Sequence, residues 1–121
     1  IYSSAASSNA TKKTSPASLE KWRKQIAKID QEIFNRLKKR MEISEKIGRY
    51  KIENNLSLFQ KEIWQKMMQT RRQWAKAHSL NGDFVCEVFE SIHKESLRLQ
   101  TAIKQKKRKN QSKTKGQKSH D

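Results

Sequence analysis

The sequence predicts an all-α fold: three helices per chain, one long N-terminal helix followed by two shorter ones, paired with a second copy in a helical homodimer. Three observations point there. The 121 residues contain only 3 Gly and 1 Pro, too few for an all-β fold that turns every ~8–12 positions. The apolar residues recur at helical spacing. The first periodic stretch is also too long for the rest of one small chain to cover, and a two-fold dimer in which long helices pack on each other is the economical solution.

Residues 1–18 are small and polar, which predicts a flexible arm or linker. The chain opens on Ile rather than Met, as expected of a fragment or a trimmed product. The first helix is predicted from about Leu19 to Glu53. Ser18 is its expected N-cap and Glu20 lies in the first turn, near the positive end of the helix dipole. Trp22, Ile26, Ile29, Ile33, Leu37 and Ile47 form its apolar set, and Asn54-Asn55 ends it. A second helix is expected from Gln60 to His78, with Ile63, Met67, Trp74 and Ala75 among its apolar positions. Ser79 to Gly82 breaks the chain, with Asn81 the cap of a third helix that runs to Lys104. Residues 19–103 thus form the helical domain. Residues 104–121 predict a disordered basic tail.

The net charge of +16 is unevenly spread. Residues 104–121 hold eight Lys or Arg against one Asp, a net +7, and residues 1–18 add +2. The middle is still +7, which suits anionic partners. The tail predicts at most non-specific contact with nucleic acid or another anionic surface. No apolar run approaches the ~18 residues of a membrane span. One Cys, Cys86, cannot form an internal disulfide, and a cytoplasmic setting is expected. Cys86, His78, His93 and His120 lack metal-ligand spacing, and the histidines are expected in structural or solvent-exposed roles. Trp22, Trp64 and Trp74 are expected in packing or dimer contacts.

The informative positions are polar ones inside apolar stripes. At about 100° per residue, Arg40 and Lys51 fall within about 20° of the line through Ile33 and Ile47. Cations on such a stripe are costly unless something anionic pairs with them. Arg23 points about 100° away from Arg40, toward a neighbouring subunit. On the third helix Ser96 and Gln100 interrupt Ile92, Leu99 and Ile103. Three helices could thus line a pocket of cations and neutral hydrogen-bonding groups, suited to a small polyanion.

The same residues carry a family resemblance. LEKWRKQIAKIDQEIFNRLKKRMEISEKIGRYKIENN, with its R-x-x-I-x-x-I-D, R-M and I-G-x-Y-K, and LNGDFVCEVFESIHKESLRLQ, with its S-x-x-x-Q, resemble the first and last helices of the all-α chorismate mutases of the AroQ class. The resemblance implies an intertwined homodimer that rearranges chorismate to prephenate without a cofactor. It implies that Arg23 reaches across the interface to one substrate carboxylate. Arg40 would bind the other carboxylate, and Lys51 a carboxylate and the ether oxygen. Ser96 would support the ring carboxylate and Gln100 the ether oxygen. Lys51, Gln100 and Arg40 would then be the catalytic residues. Because Gln100 does not titrate, a flat rate profile through neutral pH is expected.

One segment departs from the family pattern. Gln60 stands where an acidic or amide residue binds the substrate hydroxyl. Ile63 stands where a supporting Arg is usual, so reduced activity is expected. Trp64 replaces a frequent Glu, an aromatic choice similar to the mutase domains that some bacteria fuse to 3-deoxy-arabino-heptulosonate-7-phosphate (DAHP) synthase. A fused or associated DAHP synthase is accordingly an expected partner. Two alternatives stay open. One keeps the fold: an isochorismate-pyruvate lyase, or a weakly active or regulatory mutase-like domain of a larger enzyme. The other is a basic helical module that binds nucleic acid.

Overall fold

A computed structural model of the chain describes residues 16–119, and side chains for 16–112. It contains three α-helices: α1 (Pro16–Glu53), α2 (Lys61–Ala77) and α3 (Gly82–Ser119). No strand occurs among the described residues. The chain divides into two units, residues 1–39 and 40–121, with the division inside α1.

The described part of the first unit is the N-terminal stretch of α1. It begins at Pro16, two residues ahead of the expected cap, so Ser18 lies in the first turn instead. Proline suits a first helical position, where its missing N–H is not needed. Leu19, Trp22, Ile26, Ile29 and Ile33 follow at i, i+3, i+7, i+10 and i+14, the spacing of a helix–helix seam. All are exposed, from 46% at Leu19 to 60% at Ile26.

The second unit packs the end of α1 with α2 and α3. Helix α1 stops in a Schellman motif. Asn55 takes a left-handed φ of 56°, Leu56 N–H donates to the Lys51 carbonyl at 2.7 Å, and Asn55 N–H to that of Ile52 at 3.3 Å. Helix α2 ends similarly: Ser79 has φ 58°, and Leu80 N–H donates to the Ala75 carbonyl at 2.9 Å. Asn81 caps α3 as expected, its Oδ1 accepting from Phe84 N–H at 3.1 Å.

Contacts between α1 and α3 advance in the same direction along both helices. Ser96 meets Arg40 and Ser44, and one turn later Gln100 meets Ser44 and Lys51. The two helices therefore run parallel. The core is slight. Ala75, 1% exposed, is the one buried hydrophobic among the described residues. Beside it on α2, Trp74 packs edge to face at 6.3 Å on Phe89 of α3, and the Arg71 guanidinium lies 4.4 Å over the Trp74 ring.

Helix α3 departs from the expected length. It spans 38 residues, as many as α1, rather than ending near Lys104. It runs to Ser119, through the stretch whose composition predicts disorder. That stretch is rich in Lys and Gln, both good helix formers, and has no Gly before Gly116 and no Pro. Residues 1–15 of the expected arm lie outside the described residues. No helix is long and apolar enough to cross a membrane among the described residues.

Candidate active site

The buried residues of the second unit are mostly polar. Ser44, Gly48, Ser96 and Gln100 are buried along the α1–α3 contact, with Gln100 only 4% exposed. A glycine in a helix interior costs about 1 kcal/mol relative to alanine, and Gly48 has a local reason to be there. A Cβ at this position would stand 2.6 Å from Gln100 Cγ. The bare backbone lets the Gln100 side chain lie flat against α1.

Gln100 is held at both ends. Its Nε2 donates to the Ser44 carbonyl at 2.8 Å, and its Oε1 accepts from Lys51 Nζ at 3.5 Å. Lys51 also donates to the Leu58 carbonyl at 2.7 Å, which ties the α1–α2 loop to the end of α1. One turn back on α3, the Ser96 and Ser44 hydroxyls share a hydrogen bond at 2.9 Å. Ser96 Oγ also accepts from Arg40 Nη1 at 3.2 Å. The other Arg40 amine points at Met67 Sδ, 3.7 Å away.

These groups line a pocket of about 170 Å³ between the three helices, closed further by Gln60, Ile63, Trp64, Met67 and His93. No carboxylate is among its lining residues. Burial lowers the pKa of both Arg40 and Lys51 from the usual values, with repulsion from Arg71 a second cause at Arg40. Arginine nonetheless stays charged in proteins. Two partly desolvated cations without a counter-charge are the signature of a site completed by an anionic ligand. Among the described residues no three His, Cys, Asp or Glu side chains group as a metal site.

The structure thus brings five sequence-predicted residues, Arg40, Lys51, Gln60, Ser96 and Gln100, to one pocket. Arg23 is not among them; it is an exposed residue of the first unit. Ile63 lines the mouth and is 62% exposed. Two lining residues were expected elsewhere. Trp64, expected in packing or dimer contacts, and His93, expected in a structural or exposed role, stack on each other at 4.3 Å and 30° on the pocket wall. His93 precedes Ser96 by three positions and Gln100 by seven, so helical spacing could have placed it on their face. Ser44 gives a similar signal, four residues after Arg40.

Fold and pocket together define an all-helical protein with a small cationic site between its helices. The chain belongs to the chorismate mutase type II family, whose profile matches residues 22–101. That span runs from one residue before Arg23 to one after Gln100. A search of curated proteins finds no match. At the family level, the function is of the chorismate mutase type, with chorismate as substrate.

Proposed function

We propose that this chain is itself a chorismate mutase, acting as an intertwined homodimer on a dicarboxylate held at the α1–α3 pocket. The observation that carries this reading is the pair Arg40 and Lys51, two partly buried cations facing one cavity that has no carboxylate of its own.

The reaction is an intramolecular Claisen rearrangement. The ether carbon–oxygen bond breaks as the new carbon–carbon bond forms, and no proton changes hands. Bond breaking runs ahead, so negative charge grows on the ether oxygen. An ammonium has three donors. One of Lys51's is spent on Leu58 and one leans toward Gln100, which leaves one for that oxygen. The Gln100 amide keeps a second N–H beyond the one given to Ser44. Both donors are held in place before the substrate arrives, so they stabilise the charge without reorganising. Arg40, steadied by Ser96, takes one carboxylate. Arg23 of a second copy takes the other. Gln60 meets the hydroxyl. Holding the substrate in its compact conformer adds the positional term.

The homodimer is part of the proposal. The exposed seam from Leu19 to Ile33 is a surface that a monomer rarely leaves open. Ile63 places no charge at the mouth of the pocket, so turnover is reduced. The setting proposed is cytoplasmic, with a DAHP synthase as fused or associated partner. The basic extension of α3 gives at most non-specific contact with nucleic acid, through Lys104, Lys107 and Arg108.

The test is chorismate consumption by the purified chain, with products identified, beside Arg40→Ala. Prephenate is expected, with kcat/KM in the variant reduced by about 10²–10³-fold, the usual effect of losing one charged donor. Pyruvate from isochorismate would instead select the lyase. A folded dimer that turns over neither would point to a regulatory or partner-dependent domain.

A further inference from the structure

We propose that His93 is a substrate-binding residue of this pocket, taking the same carboxylate as Arg40 and becoming positively charged as the dianion enters. The inference rests on the mutase reading and adds a titrating group to a site otherwise built from fixed charges and neutral donors.

Placement is the first support. His93 lines the pocket with Arg40, Lys51, Ser96 and Gln100. It lies on α3 one turn before Ser96, at the end of the pocket where Ser96 meets Arg40.

Ring geometry is the second. One face of the imidazole lies on the Trp64 indole at 4.3 Å and 30°, and Phe59 meets it edge to face at 6.0 Å and 68°. The two aromatics fix the ring plane. Among the described residues neither ring nitrogen has a hydrogen-bond partner, and neither is a sealed, unpaired atom. Both can serve a ligand. An indole face also favours a cation stacked on it, so the wall that holds the ring suits the imidazolium.

Charge is the third. Partial burial is the larger cause holding the His93 pKa below the usual histidine value, and repulsion from Arg40 and Lys51 of α1 adds to it. The loop and α2 present Phe59, Gln60 and Trp64, none of them charged at neutral pH. On its own helix Glu90 and Lys94 are paired with each other at 3.3 Å. At neutral pH these causes bias the free side chain toward its neutral form. A bound dicarboxylate cancels the two cations that suppress protonation, and the pKa rises. Binding then takes up a proton, and affinity grows as the pH falls through the ligand-bound pKa. The ring touches a carboxylate and not the breaking bond, so the effect falls on KM and leaves kcat flat.

The experiment measures chorismate kinetics from pH 8 to pH 5.5 on the full chain and on His93→Gln. Expected for the native protein is a KM that falls about tenfold toward acid, an ordinary size for the coupling between two bound species, with kcat unchanged. Expected for His93→Gln is a KM fixed at the high-pH value. A parallel proton NMR titration follows the His93 ring with and without prephenate, assigned by its loss in His93→Gln, and a higher pKa with prephenate is expected. Turnover with a pH-independent KM, a slope that survives in His93→Gln, or a ring pKa unmoved by prephenate would each overturn the role of His93 alone. No turnover and no prephenate binding at any pH would overturn this inference and the mutase reading together.

Discussion

At the scale of the residue, the site depends on one hydrogen atom. Gly48 lets Gln100 pack against α1, and through that contact Gln100 Nε2 reaches the Ser44 carbonyl and Oε1 faces Lys51. Gly48→Ala adds a Cβ at 2.6 Å from Gln100 Cγ, a separation that forces the amide off its position. Alanine is the better helix former by about 1 kcal/mol, so the helix gains while the site loses. The expected outcome is a melting temperature close to the native value, with kcat reduced by about tenfold or more for a displaced donor. A kcat equal to the native one would show that Gln100 is not aimed by this contact. Periodicity makes Ser96 and Gln100 conspicuous, because they interrupt an apolar run. It is silent about Gly48, whose function is the space it leaves.

At the scale of the element, the helix ends carry stability that is separable from activity. Asn55 and Ser79 both sit at left-handed φ, 56° and 58°. Asparagine tolerates that region, but serine is strained there by roughly 1 kcal/mol. Ser79→Gly is therefore expected to stabilise the protein by about 0.5–1 kcal/mol in urea unfolding. At the other side of the same turn, Asn81→Ala removes the acceptor for Phe84 N–H and costs about 1 kcal/mol. Neither residue lines the pocket, and kcat/KM is expected unchanged in both. The start of α3 was legible because Asn caps are a strong local signal. Its end was not, because composition marks solvation and charge, while a run of Lys and Gln can be solvated and helical at once.

At the scale of the whole molecule, a single chain leaves its apolar side chains largely outside. Sixteen large hydrophobics of the described residues are exposed, and the one buried hydrophobic among them all is the small Ala75. The proposed homodimer would cover this surface with a second α1 along the seam from Leu19 to Ile33. Complementation tests both the dimer and the crossing of Arg23. Arg23→Ala and Arg40→Ala are each expected to be nearly inactive. Mixed and re-equilibrated in equal amounts, they form hybrids with one intact site in two, so about one quarter of native activity returns under two-fold symmetry. If the mixture stays as inactive as its components, Arg23 does not serve a neighbour's site.

The sequence by itself determined the helical class, the three-helix order, and the five pocket residues that interrupt apolar stripes or match the family pattern. These follow from periodicity, caps and spacing, which are local properties of the chain. Tertiary structure decided what packing alone can decide. It placed His93 against Trp64 and Ser44 against Ser96, and it revealed Gly48 as a gap filled by Gln100. Those relations join residues 29 to 52 positions apart, and no local pattern encodes which side chain from another helix will fill the space beside a given residue.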